Sequence, residues 1–233
     1  MTYAVPALEV LEDTDAVARR AAEWLAARLG EALALRGRAT LAVSGGKTAP
    51  HALALLGQTN VRWPAIDVLQ VDERVAPDGH RDRNAVAQAA AFEAHAARAP
   101  RRFHWMPVEE PDLDAAAAAY ARELAALAGD PPIIDVVHLG IGEDGHTASL
   151  VPGSQALEAR APVVVTEPYQ GRRRMTLTFP VINQARHVVW IVTGAGKKTA
   201  LERLLRGDPA LVANRVRRTD AVVLADTQAA PSA

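Results

Sequence analysis

The sequence predicts an α/β protein built on a largely parallel sheet with helices on both faces. Short apolar runs alternate along the chain with segments of helical periodicity, the pattern of βαβ units. Several of these runs are apolar at nearly every position, as in strands buried on both faces. Glycine clusters stand directly after the runs, where strands must turn into helices.

The elements follow in order. Over residues 13–35, Ala21, Trp24, Leu25, Leu29 and Leu33 recur at helical spacing and Gly37 marks a stop, so a short lead and one long amphipathic helix open the chain. Residues 40–43 form a short strand that ends at Ser44-Gly45-Gly46, and a second helix begins near Pro50. The alternation continues with a strand at 66–71, a helix at 84–95, a strand at 103–106 and a helix at 113–127. A buried strand is expected at 133–139, two more at 162–166 and 175–179, and another at 187–192. A helix over 198–205 and a strand at 221–225 close the series. No repeat, linker or charge block marks a boundary, so residues 1–233 read as a single domain.

Composition narrows the function. The 233 residues are about half apolar, enough for a sizeable core. Lys and Arg total 26 against 27 Asp and Glu, so neither nucleic acid nor a membrane surface is the expected partner, and any anion site must be local. The sequence has no cysteine, which excludes disulfides, thiolate nucleophiles and cysteine metal sites. The first fifteen residues lack Lys and Arg and any apolar stretch of signal-peptide length, and no segment is apolar enough to span a bilayer. A cytoplasmic protein is therefore the expectation.

In sheets of this kind, ligands bind beyond the carboxyl ends of the strands. The loops after Val43, Val71, Leu139 and Val192 should carry the chemistry. Ser44-Gly45-Gly46-Lys47-Thr48 joins a strand to a helix, so its amides could hold a phosphate; a tight turn needing glycine would explain it equally. Asp72-Glu73-Arg74 ends the next strand, and charges there are costly to bury without partners or a ligand. Alternation puts Asp72 and Arg74 on one side with Glu73 facing away, unless the group is simply a solvated strand end. Asp82 or Asn84 could cap the following helix. Gly140-Ile141-Gly142-Glu143-Asp144-Gly145-His146 bends sharply after a buried strand and presents Asp144 and His146 at the ligand-binding edge. An imidazole suits proton removal from water, and a carboxylate can orient it. Arg174 and Lys197, from separate strands, suit a phosphate dianion, whereas Arg172, Arg173 and Lys198 read as solvated. No histidine pair has metal-ligand spacing, and Ser44 and Ser149 lack the Gly-x-Ser-x-Gly elbow of acyl-enzyme hydrolases.

Together these segments resemble the 6-phosphogluconolactonase family, in the same order from about residue 41 to residue 226. The matching pieces are Ser44-Gly45-Gly46-x-Thr48, Asp72-Glu73-Arg74, His80-x-Asp82-x-Asn84, Leu139-Gly140-x-Gly142-x-Asp144-Gly145-His146-Thr147-Ala148-Ser149-Leu150, Arg174-x-Thr176-Leu177-Thr178, Ile182-Asn183-x-Ala185 and Gly194-x-x-Lys197. Ala49 intervenes where the family has threonine directly before proline, and Arg83 replaces its usual serine. The resemblance implies a Rossmann-like three-layer α/β/α sandwich, like glucosamine-6-phosphate deaminase and ribose-5-phosphate isomerase. It also implies hydrolysis of a phosphorylated sugar lactone with no cofactor and no metal, in functional coupling to glucose-6-phosphate dehydrogenase. His146 would be the general base, with Asp144, Arg74 and Asp72 in the catalytic group. Ser44, Gly45, Gly46, Thr48, Arg174 and Lys197 would bind substrate and phosphate. A glucosamine-6-phosphate deaminase is the nearest alternative, but Thr147-Ala148-Ser149-Leu150-Val151-Pro152 follows His146 where deaminases carry an extra glutamate. The other is a non-catalytic sugar-phosphate-binding protein; the residues before the first strand leave no room for a DNA-reading module.

Overall fold

A computed structural model describes residues 6–93 and 102–232. Helix α1 (Thr14–Arg36) begins where the Asp13 carboxylate accepts the Ala16 amide and ends where Gly37 turns left-handed at φ 71°. Both caps satisfy backbone groups that a helix end otherwise leaves unpaired. Ala21, Leu25 and Leu29 are buried along its inner face, as the periodicity requires.

Among the described residues there are ten strands and six helices. The strands are β1 (Ala7–Leu11), β2 (Ala39–Val43), β3 (Ile66–Gln70), β4 (Asp72–Arg74), β5 (Arg102–His104), β6 (Val136–Leu139), β7 (Val163–Val165), β8 (Arg174–Leu177), β9 (His187–Val192) and β10 (Ala221–Asp226). After α1 come α2 (Ala49–Gly57), α3 (Asn84–Glu93), α4 (Leu113–Ala128), α5 (Phe179–Ile182) and α6 (Lys198–Arg206). The last two residues of the helix expected at 84–95 lie outside the described residues. No described helix is long and apolar enough to cross a membrane.

Seven strands form one parallel sheet in the order β1-β10-β9-β6-β2-β3-β5. Because successive side chains point to opposite faces, each strand feeds two cores. Leu41, Val43, Val136 and Val189 meet Leu25 and Leu29 of α1 on one face. Ala42, Val137, Val188 and Trp190 meet Tyr120 of α4 and Leu201 of α6 on the other. The expected three layers are thus present. From β2 the chain builds outward through β3 and β5, and from β6 through β9 and β10. The crevice at this reversal, between the carboxyl ends of β2 and β6, is where such sheets hold ligands.

Several elements differ from expectation: the strand expected at 103–106 is Arg102–His104, and Asp72–Arg74, expected to end the strand at 66–71, is a separate strand, β4. The strands at 162–166 and 175–179 form, but as β7 and β8 of a separate antiparallel sheet in which β8 also pairs with β4. Phe179 opens a helical turn instead of ending a strand, with Pro180 fitting that first turn. The strand at 133–139 starts only at Val136, because buried Asp135 accepts the Thr40 amide at 2.9 Å and Arg36 at 2.6 Å. The short lead contains β1, which pairs with β10 at the sheet edge; Glu9 within it and exposed Val10 dilute the apolar signal of an edge strand.

Candidate active site

A cavity of about 650 Å³ opens at the carboxyl ends of the strands. Four loops meet there as expected: those after β2, β3, β6 and β9. Ser44, Gly45, Gly46 and Thr48 line it with Asp72 and Arg74; His146, Arg174 and Lys197 complete the predicted set. Asp144 is not on the wall. It stands behind His146.

The loop after β6 is shaped by its glycines. A Cβ on Gly142 would lie 2.1 Å from His146 Nδ1, so only glycine lets the histidine fold back. Gly145 adopts φ 86°, open to glycine at little cost. The Gly142 amide donates to the His146 carbonyl at 2.8 Å and closes the loop. As a result His146 Nδ1 sits 2.6 Å from Asp144 Oδ1. The same oxygen accepts the His146 amide at 3.2 Å, and Oδ2 accepts the Tyr169 hydroxyl at 3.0 Å. A carboxylate at Nδ1 favours the tautomer with its proton there, which leaves Nε2 as the basic nitrogen. Burial pushes the Asp144 carboxyl upward, but the His146 amide and ring and the Tyr169 hydroxyl outweigh it, and the net shift is below the ordinary carboxylate value.

Asp72 belongs to a buried cluster. Its Oδ1 accepts Ser44 Oγ at 3.1 Å and its Oδ2 accepts Ser149 Oγ at 2.7 Å. Asn84 Nδ2 donates to the Asp72 carbonyl at 2.8 Å. A Cβ on Gly45 would fall 2.1 Å from Asn84 Oδ1, so the first glycine loop needs that residue for close approach as well. Glu73 faces away from the cavity, as alternation predicts. Its carboxylate accepts the Asn84 and Ala85 amides at 2.7 and 2.8 Å, so Glu73 caps α3 in place of Asp82 or Asn84. Arg83, at the family's serine position, is buried between Glu73, at 3.2 Å, and Glu109.

Arg74 and Arg174 stand directly opposite one another in the β4–β8 ladder. Like charges so placed repel. Arg74 donates to the Asp82 carbonyl and Arg174 to the Gln170 side chain, and each Nε is buried without a hydrogen-bond partner. Burial, reinforced by the Arg74 charge, lowers the Arg174 pKa. An anion in the cavity would relieve both effects. Thr48 Oγ1 lies 2.6 Å from Thr193 Oγ1 and ties the first loop to the one carrying Lys197. In that last loop Gly194 adopts φ 90° and its amide donates to Asp226 at 3.0 Å. Lys198 bonds Ser232 instead, and Arg172, expected to be solvated, pairs with Asp82 at 2.7 Å. Among the described residues no group of three or more His, Asp or Glu side chains could hold a metal ion.

Three residues of the site escaped sequence reasoning. His138 of β6 lines the cavity, and its Nδ1 accepts the Ser44 amide at 3.3 Å. Burial holds its pKa down to about 4, so it is neutral at pH 7. A lone polar residue inside an apolar strand was the available signal. Ser149, weighed as a nucleophile and quoted in the matching segment but given no role there, is a hydrogen-bond partner of Asp72. Tyr169 sits at a hairpin tip whose spatial position no local pattern reveals.

The family profile described as glucosamine-6-phosphate isomerases/6-phosphogluconolactonase matches residues 12–224. A 6-phosphogluconolactonase of Mycobacterium tuberculosis is 35% identical over 238 residues, covering 96% of each chain. One from Synechocystis is 35% identical over 200 residues, covering 84% of this chain and 83% of its own. The crystal structure of a Shewanella baltica 6-phosphogluconolactonase aligns with a TM-score of 0.82 at 26% identity, covering 95% of this chain and 98% of that one. A monomeric glucosamine-6-phosphate deaminase aligns with a TM-score of 0.82 at 20% identity over 96% and 98% of the two chains, a likeness of fold. The chain belongs to the glucosamine-6-phosphate isomerase/6-phosphogluconolactonase family.

Proposed function

We propose that the protein hydrolyses 6-phospho-D-glucono-1,5-lactone to 6-phosphogluconate. The observation that carries this reading is a base and a cationic grip facing one cavity: the His146–Asp144 pair on the loop after β6, and the opposed Arg74 and Arg174. His146 Nε2 takes a proton from water as the oxygen attacks the lactone carbonyl. Arg74 stabilises the developing oxyanion. On collapse the ring oxygen leaves as a hydroxyl, taking the proton back from His146. Arg174, Lys197 and the amides of the Ser44 to Thr48 loop hold the phosphate, which supplies the anion that the arginine pair lacks. Asp72 stays in its cluster and fixes the Ser44 end of that loop.

A lactone is already activated, so positioning and one general base, worth about a hundred- to ten-thousand-fold, suffice. The pairing of β1 with β10 supports reading residues 1–233 as one domain. Because the substrate arises by oxidation of glucose 6-phosphate, the proposal places the enzyme after glucose-6-phosphate dehydrogenase. A cytoplasmic location fits a chain without cysteine.

The test is hydrolysis of freshly generated lactone, coupled to 6-phosphogluconate dehydrogenase, with spontaneous opening subtracted and glucosamine 6-phosphate assayed in parallel. Acceleration above background is expected. Ammonia release from the amino sugar without lactone hydrolysis would point to the deaminase branch. Silence in both would leave a binding protein.

A further inference from the structure

Tyr169 touches both halves of the site. Its hydroxyl donates to Asp144 Oδ2 at 3.0 Å. The edge of its ring meets His146, with centroids 5.4 Å apart and planes at 69°. Arg174 lies over the ring at 5.0 Å. One side chain thus contacts the acid behind the base, the base itself and the phosphate-side arginine. The backbone fixes this position. Tyr169 and Arg172 exchange hydrogen bonds of 2.9 and 3.3 Å across a two-residue turn. Both central residues of that turn, Gln170 at φ 52° and Gly171 at φ 81°, are left-handed, as in the tightest hairpins. Gln170 holds its strained conformation while its Oε1 accepts Arg174 Nη2 at 3.2 Å and its Nε2 approaches the Tyr169 hydroxyl at 3.4 Å. Glu167 anchors the approach to the tip by accepting Ser154 Oγ at 2.7 Å.

We propose that Tyr169 is a positioning residue for the reaction, with separable duties at its two ends. The hydroxyl pins the second oxygen of Asp144, so that the first stays on His146 Nδ1 and the ring keeps Nε2 toward the cavity. The ring face is a platform that keeps the Arg174 guanidinium aimed at the phosphate. This rests on the hydrolase reading for its kinetic consequences, whereas the effect on the His146 ring does not.

Two variants separate the duties. Tyr169→Phe removes the hydroxyl and keeps the platform, so kcat should fall about three- to tenfold with KM unchanged. Tyr169→Leu removes both, so the same loss of kcat should come with a rise in KM of about two- to fivefold, and inorganic phosphate should inhibit less by the same factor. Independently of turnover, the imidazole nitrogen spectrum of His146, assigned by comparison with His146→Gln, should show the Nδ1-protonated form in the wild type and a larger share of the other tautomer in Tyr169→Phe. Wild-type kcat or an unchanged His146 spectrum in the Phe variant would overturn the proposal. Equal losses in kcat and KM in both variants would do so too, since that is what a hairpin that merely fills space would give. A wild-type protein inert toward the lactone would remove the hydrolase reading, and the nitrogen spectrum would still decide the role of Tyr169.

Discussion

The two ends of the parallel sheet both gather arginines into a hollow, and they treat them differently. At the amino ends of the strands, Arg36 and Arg186 close on the buried Asp135 carboxylate at 2.6 and 3.3 Å, and Thr40 completes that carboxylate's bonding. At the carboxyl ends, Arg74 and Arg174 face each other, with hydrogen bonds to a carbonyl and an amide and with both Nε atoms buried and unpaired. A cluster in which every arginine reaches a carboxylate serves the fold. An arginine pair without ion-pair partners of its own, beside a histidine and a glycine loop, suits a ligand, because the cost of holding it would be recovered when an anion arrives.

The sharpest break between the two ends is expected at His146. His146→Ala should lower kcat about a hundred- to ten-thousand-fold in the coupled lactone assay while leaving the unfolding midpoint in place, since the ring is partly exposed and its proposed role is on the substrate. Asp135→Ala should do the reverse. Loss of the carboxylate leaves the buried Thr40 amide and hydroxyl without it and removes two ion pairs to partly exposed guanidinium groups, so about 2 kcal/mol of stability should disappear in denaturant unfolding, with kcat and KM intact. Arg174→Met should raise KM about ten- to a hundredfold through lost phosphate binding, and the ligand-free protein should melt no lower than the wild type because a like-charge repulsion goes with it.

The smallest effect lies on β6, which connects the two ends. The folded-state pKa of His138, about 4, lies below its ordinary 6.5, so on acidification the unfolded chain takes up the proton first. Its contribution is therefore complete above pH 6.5 and is lost progressively toward pH 4, by roughly 1 kcal/mol at pH 5.5. Burial lowers His187 as well and adds in the same direction. Unfolding at pH 7.5 and 5.5 should show a steeper loss in the wild type than in His138→Gln.

The fold was legible wherever the apolar pattern was dense. Strand β9 and helix α1 came out within a residue, because continuous burial and clear caps leave little alternative. The edge strand β1 was hidden by its half-exposed alternation, and the second sheet could not be seen because antiparallel pairing of β4 with β8 is a contact between segments a hundred residues apart. The site divides in the same way. That His146, Arg74, Arg174 and Lys197 would face one cavity was readable from residue type in the loops and at strand ends, and the glycines at 45 and 142 announced sharp turns, whereas the close approach at each shows only in the structure. His138, Ser149 and Tyr169 were not, since each acts through a partner distant in sequence; alternation turned Glu73 away from the site, but its role as the cap of α3 shows only in its bonds to the Asn84 and Ala85 amides.

The most direct test of the unmatched-charge account is calorimetric binding of 6-phosphogluconate and of gluconate to the wild type, Arg174→Met and Asp135→Ala. The wild type and Asp135→Ala should bind the phosphorylated acid well above gluconate, and Arg174→Met should lose most of that difference. Undiminished preference for the phosphorylated acid in Arg174→Met would contradict it.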